Sequence, residues 1–335
     1  MGERAVRSFN LEKPKRTMPS LPAALPIIPN ALETYRLEMV ALLERLNPIE
    51  GIRASAVDGI TFFRTRSSTP RVPVLYEPCI VVVAQGRKRL HLEDRVITYD
   101  EGNFLVLSVP TPAGCETEVK GERPFLAVCA RIDLETVGEL IVAIGTAMEH
   151  APTVHGARET AVSSPPLTLE VADVTTRLLR CLTSPIEAQV LGPQLVRELT
   201  YRVLCSPDGQ ALRSLLAANS AHARVHMILY RMHAEFSTPL NIAALAAEAG
   251  ISVSSLHEHF KAVTGTSPLQ YLKNIRLFKA RTLMVRDALA ASVVAARVGY
   301  ESASQFNREF KRLFGAPPAV EAERLRQTFG LGANA

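Results

Sequence analysis

The sequence predicts a multidomain α+β chain. A β-rich N-terminal domain is followed by a helical connector and an all-α C-terminal domain. Three observations carry this reading. Short apolar runs broken by turn residues fill about 52–132, helical periodicity fills the chain from 221 onward, and within that last stretch the chain repeats itself. At 335 residues the chain has room for about two domains of roughly 150 residues each. With 47% hydrophobic and 21% charged residues it is too apolar for a disordered polymer.

Residues 1–30 are first basic and then rich in proline (Pro14, Pro19, Pro22, Pro26, Pro29), the texture of an extended arm. In 31–46, Leu32, Tyr35, Met39, Leu42, Leu43 and Leu46 recur at helical spacing and predict a short amphipathic helix. Residues 31–132 as a whole form the expected N-terminal domain. Its strands include Leu90-His91-Leu92 and Arg95–Tyr99, separated by a tight turn at Glu93-Asp94, with a second turn at 100–103. Several short strands at this spacing argue for an all-β barrel or sandwich. Residues 133–220 return to helical texture and are expected to be a helical linker, broken by a polar loop at 151–167.

The C-terminal domain, expected over 221–325 with a tail at 326–335, contains the repeat. One unit is IAALAAEAGISVSSLHEHFKAVTGTSP and the other VVAARVGYESASQFNREFKRLFGAPP. Gly250 and Gly299 lie 49 positions apart, and Phe260/Phe310, Gly265/Gly315 and Pro268/Pro318 lie 50 apart. In the first unit a short alanine-rich helix ends at Gly250, whose backbone freedom permits a sharp turn. Ser252 is placed to cap the next helix, which turns Leu256, Phe260 and Val263 inward. Ser267-Pro268 then starts a longer helix to about Arg286. The second unit repeats this around Ala295, Gly299, Phe306 and Phe310. Two helices joined in this way form a helix-turn-helix, which presents its second helix to a DNA major groove.

Charge agrees. The chain has 38 basic and 33 acidic residues, a net of +5. Residues 221–335 hold 14 basic and 8 acidic side chains, whereas 21–220 hold 19 and 23. A basic C-terminal third on a mildly acidic body suits a polyanionic partner, although a solvated surface gives the same count. Five cysteines (Cys79, Cys115, Cys129, Cys181, Cys205) without CxxC spacing, a first segment without the apolar run of a signal peptide, and no stretch near the ~18 apolar residues of a membrane span predict a cytoplasmic protein with free thiols. Cys79 and Cys129 lie in apolar strand runs and read as buried, inert thiols. Cys115 stands beside Glu116 and Glu118, whose charge raises a thiol pKa. His222 and His226 are spaced i,i+4 but lack a third ligand, and with His150, His155 and His233 they form no catalytic arrangement.

The motifs AGISVSSLHEHFKAVTGTSPLQYL and VGYESASQFNREFKRLFGAPP resemble the AraC family of bacterial transcription regulators. VLYEPCIVVVAQGRKRLHLEDRVITYDEGNFLVLSVPTPAGCETE is similar to the cupin-like N-terminal domain of one AraC subgroup. The resemblance implies a cupin-like β-barrel that binds a small organic effector and dimerises, joined to a double helix-turn-helix domain. It implies double-stranded DNA, RNA polymerase, a small-molecule effector and a second copy of the chain as partners, and no membrane and no cofactor. By position, the base-facing residues would be Ser254, His257 and Glu258, then Ser304, Asn307 and Arg308 with Gln305 beside them. Lys261 and Lys311 would touch phosphate. Glu258 departs from the basic or neutral polar residue of many members. A carboxylate there repels phosphate but accepts from a cytosine amino group. Arg276 is open to two readings, a phosphate contact or a structural ion pair.

Polar groups on the apparent strands nominate Tyr76, Gln85, His91, Tyr99, Glu116 and Arg131 for an effector pocket. Facing cannot be read from alternation alone, because a bulge shifts register. Two alternatives stand beside the regulator. A metal-dependent cupin enzyme would use an HxH pair, a glutamate and a later histidine, but His91-Leu92-Glu93 supplies one histidine and 1–149 contains no other. A ligand-independent regulator would use the barrel only to dimerise.

Overall fold

The computed structural model describes residues 31–145, 160–206, 209, 212–213 and 221–328. The expected N-terminal arm, most of the loop at 151–167, and His150 and His155 lie outside the described residues.

Helix α1 (Ala31–Leu46) spans the predicted stretch and buries Met39 and Leu43. Nine strands follow: β1 (Gly51–Ala54), β2 (Ile60–Thr65), β3 (Thr69–Tyr76), β4 (Cys79–Gln85), β5 (Arg87–His91), β6 (Val96–Asp100), β7 (Phe104–Leu107), β8 (Thr111–Glu118) and β9 (Phe125–Arg131). Then come α2 (Leu134–Ile144), β10 (Val162–Ser163), α3 (Leu169–Cys181), α4 (Pro185–Val190) and α5 (Gly192–Cys205). The strands form two antiparallel sheets, ordered β1-β2-β9-β4-β7-β10 and β3-β8-β5-β6. Strand β4 is buried along its whole length. Its CIVVVAQ run is covered on one face by α1 and on the other by the second sheet, which is why it is continuously apolar rather than alternating.

The sheets lie face to face. Lys88 of β5 sits over the rings of Phe63 on β2 and Phe125 on β9, at 4.9 and 4.7 Å from their centroids. Among the described residues no hydrogen-bonded strand pair joins the two sheets. The expected cupin-like barrel is therefore realised as two open sheets. Facing sheets held apart by interdigitating side chains sit about 10 Å from each other, well beyond the ~4.8 Å of strand pairing.

The expected helical linker needs a similar amendment. Val162 and Ser163 pair with Leu107 and Val106, so part of the linker adds a strand to the first sheet. Helix α3 packs on α1 and α5, and Leu178, Leu179, Leu199 and Val203 join the same core as the strands.

The C-terminal helices are α6 (Ala221–Ala234), α7 (Ile242–Glu248), α8 (Val253–Thr264), α9 (Pro268–Arg286), α10 (Ala291–Arg297), α11 (Ala303–Phe314) and α12 (Pro318–Thr328). The last runs into the segment expected as a tail. Ser252 caps α8 as the sequence predicts, and side chains cap three other helices as well. Asn241 accepts from the Ala244 amide, Ser252 from Ser255, Ser267 from Gln270 and Ser302 from Gln305.

Helix α9 is apolar on more than one face for a structural reason. Its N-terminal half places Tyr271 and Ile275 in a core with Leu256, Phe260 and Val263 of α8. Its C-terminal half places Leu277, Phe278, Ala280 and Met284 in a second core with Phe306, Phe310 and Phe314 of α11. One helix therefore carries both hairpins. The first core is continuous with that of the β domain, and the second is separate.

Candidate nucleic-acid interface and internal cavity

Each helical hairpin buries the inward stripe of its second helix and leaves the opposite face in solvent. In α8, Leu256 and Phe260 are buried while Ser254, His257, Glu258 and Lys261 are exposed. In α11, Phe306 and Phe310 are buried while Ser304, Gln305, Asn307, Arg308 and Lys311 are exposed. All nine nominated positions thus lie on outward faces of the two second helices. The Gln305 amide donates to Glu309 at 3.2 Å. Glu309 also accepts from Lys273 and from the Tyr300 hydroxyl, at 3.1 and 2.7 Å. Burial pushes the Glu309 carboxyl up, but these hydrogen bonds outweigh it and hold the group below its ordinary value.

Among the described residues Arg276 forms no ion pair with a carboxylate. Its guanidinium donates to the carbonyls of Phe236, Gly299 and Thr238 at 2.7, 2.9 and 2.8 Å. It pins the end of the first hairpin's leading loop to the turn of the second hairpin. Gly299 has φ +84°, and a Cβ there would collide with the Ser237 carbonyl oxygen. The second turn thus requires glycine twice over, for its conformation and for close approach. Gly250 shares the positive φ, at 65°, but has open space where a Cβ would sit.

The helical domain touches the β domain through polar contacts that include those of Tyr271 and Arg281. The buried Tyr271 hydroxyl donates to the Pro110 carbonyl at 2.8 Å, and His233 Nε2 lies 2.8 Å from the same hydroxyl. Because that hydroxyl has one hydrogen, Nε2 must carry the proton that His233 donates to it. Burial, reinforced by the charge of Lys279, pushes the His233 pKa down to about 4. Farther along α9, Arg281 lies over the rings of Phe278 and Phe314 and donates to the Pro73 carbonyl of β3 at 3.3 Å.

Between the sheets lies a cavity of about 670 Å³, within the size range of small-molecule sites. Val72, Val74, Phe63, Phe125 and Lys88 contribute to its wall. Three of the five cysteines (Cys79, Cys115, Cys129) also line it. A hydrogen bond with Cys129 together with burial pushes the Cys79 thiol well above its ordinary range, which suits the inert reading.

The nominated pocket residues divide by strand face. Tyr76 lines the cavity, with its hydroxyl 3.1 Å from both the Tyr99 hydroxyl and the Cys115 sulfur. Tyr99 is buried behind it. Arg131 stands at the cavity edge, paired with Asp58 at 2.5 Å. Gln85 is buried and donates to the Pro124 carbonyl. His91 and Glu116 pair with each other at 2.9 Å and Arg89 joins Glu116, on the outer face of the second sheet. Of these, His91 borders a cleft against α9 and α11 instead. Lys88 was not among the nominees. It shares the inward parity of Leu90, and that two-residue register was the available signal. Among the described residues, no cluster of three or more His, Cys, Asp or Glu side chains is placed to hold a metal ion, and no helix is long and apolar enough to cross a membrane.

A β domain enclosing a cavity, docked on paired helix-turn-helix units, defines a two-domain DNA-binding architecture. Comparison with known proteins gives the family. The AraC-type transcriptional regulator N-terminus matches residues 56–211, and a helix-turn-helix domain family matches 245–324. The chain belongs to the AraC family of transcriptional regulators. It is 35% identical over 106 residues to RclR, an RCS-specific HTH-type transcriptional activator of Escherichia coli K12, covering 32% of this chain and 37% of RclR. It is 32% identical over 100 residues to the activator RhaS of Escherichia coli O139:H28, covering 30% of this chain and 36% of RhaS. These matches span little more than a third of the relatives' length. Among solved structures, ToxT of Vibrio cholerae O395 bound to (E)-4-(8-methylnaphthalen-1-yl)but-3-enoic acid aligns with a TM-score of 0.53 at 11% identity, covering 82% of this chain and all of that one. Another ToxT structure, carrying an unsaturated fatty acid, aligns at 0.50 with 12% identity over 82% of this chain and 97% of that one. At such identity the likeness is one of fold.

Proposed function

We propose that this protein is a sequence-specific DNA-binding regulator of transcription, controlled by a small organic effector in the cavity of its β domain and acting without catalysis. The observation that carries the reading is the duplicated hairpin on one connecting helix, with all nine nominated side chains on exposed faces. Asn307 and Arg308 have the chemistry to contact base edges, and Lys261 and Lys311 that to contact phosphate. In this reading Ser254, His257, Glu258, Ser304 and Gln305 complete the base-facing set. The chain works as a homodimer on double-stranded DNA and engages RNA polymerase, in the cytoplasm.

Strand β3 supplies a route for control. Val72 and Val74 face the cavity, the Pro73 carbonyl holds Arg281, and Leu75 both lines the cavity and packs against the second helical core. A ligand against the valines bears on the strand that α9 rests upon. By linkage, a ligand shifts the domain arrangement only as far as it binds one arrangement better than the other. Selection of genomic fragments by the purified full chain, with and without cell extract, tests the whole reading. Recovery of one recurrent operator whose occupancy changes with extract is expected. Binding without sequence preference overturns the regulator, and occupancy indifferent to extract and to every ligand that binds the cavity overturns the control.

A further inference from the structure

Strand β5 carries three consecutive cations, Arg87, Lys88 and Arg89, and the sheet treats them differently. Arg87 pairs with Asp100 at 3.0 Å, and Arg89 with Glu116 and Glu118 at 3.1 and 2.8 Å, all on the outer face. Lys88 points the other way, into the cavity. Among the described residues no carboxylate lies within ion-pair distance of its ammonium, which rests only on the Phe63 and Phe125 rings. Ring faces attract a cation but do not replace a counter-ion in a site removed from water. Burial accordingly holds the lysine below its ordinary pKa.

The rest of the cavity narrows the chemistry. Lys88 and Tyr76, both in the cavity lining, pair with Thr117 and Thr111 of β8, six positions apart, or roughly 20 Å of strand. Val72, Val74, Cys115 and Cys129 line the way. A polyol would lose most of its water partners there, and the Tyr76 hydroxyl is already engaged with Tyr99 and Cys115. At the far end Glu77 borders the cavity and disfavours a second negative charge, while Asp58 and Arg131 there are already paired with each other.

We propose that this cavity takes an apolar monoanion, a carboxylate on an alkyl or aryl body, with the Lys88 ammonium as its counter-charge. The proposal rests on the cavity being the effector site and adds the ligand class.

The test uses equilibrium dialysis of the full chain at pH 7.5 against decanoate, decanamide and decyltrimethylammonium, with Lys88→Met, Lys88→Gln and Val74→Trp beside the unaltered protein. The unaltered chain is expected to bind decanoate at least tenfold more tightly than decanamide, and the cation least. Both Lys88 variants should bring the first two within about twofold while keeping decanamide affinity. Lys88→Met should melt no lower than the parent, since it removes an unpaired cation, and Lys88→Gln covers the case in which it does not fold. Val74→Trp, which fills the cavity, should abolish both. Equal binding of decanoate and decanamide by the unaltered chain, or a preference that survives loss of Lys88, overturns the ligand class and leaves the cavity standing. Failure of all three probes to bind, or binding that survives Val74→Trp, overturns the cavity reading and the ligand class together.

Discussion

Acidification should loosen the contact between the two domains through one residue. His233 is neutral in the fold, donates from Nε2 to Tyr271, and has its pKa pushed down to about 4 by burial and by Lys279. In the unfolded chain it titrates at the ordinary 6.5. Between these values the unfolded state binds more protons than the folded one. Stability therefore falls as pH drops from about 6.5 to about 4. At about 1.36 kcal/mol per pKa unit the full loss is about 3 kcal/mol, and roughly 2 kcal/mol of it is reached by pH 5. The chain has no tryptophan, so urea unfolding is best followed by far-UV circular dichroism, at pH 7 and pH 5. His233→Gln supplies the control, since its amide still donates to Tyr271 but does not titrate. Other groups, including His226, whose pKa burial also lowers, contribute to both proteins and cancel in the difference. The unaltered chain should lose about 2 kcal/mol more than His233→Gln over this interval. Equal losses would refute the assignment of the acid sensitivity to His233.

Three further outcomes follow from the helical domain. Arg308→Ala should weaken operator binding by ~1–3 kcal/mol and relax preference at one base position in a competition assay, and equal losses on operator and random DNA would refute its base contact. Lys311→Ala should weaken all sequences alike and reduce the slope of log affinity against log salt by about one. An unchanged slope removes it from the phosphate contacts. Arg276→Ala, which strips three backbone carbonyls of their donor, should cost at least ~2 kcal/mol of folding stability in thermal melts. Unchanged melting with a reduced salt slope would instead make Arg276 a phosphate contact.

Much of the helical domain was legible from residue order because helix-turn-helix units are local. Periodicity, the Ser252 and Ser302 caps, the turn glycines and the inward phenylalanines all act within about twenty residues. The cavity was legible only in part. Tyr76 and Tyr99 were found on its side, but His91 and Glu116, with the same polar character, face outward and pair with each other. The RKR run of β5 looks uniform as text, and it is the pairing of β5 with β6 and β8 that separates the paired arginines from Lys88. Arg276 was ambiguous for a similar reason, because its three acceptors lie 23 to 40 positions away in the chain.

The residue order determined which elements form, that the helical hairpin occurs twice, which helix faces stay in water, and the family. These depend on short-range propensity, capping and amphipathic period, which each segment carries with it. Tertiary packing decided the rest. It left the sheets open and facing, drew Val162 and Ser163 into one of them, placed α9 between two cores, set Tyr271 against Pro110, and turned Lys88 into the cavity with no counter-ion among the described residues. Each of these joins groups far apart in the chain. Their partners are chosen by closure of the whole core, which no local pattern records.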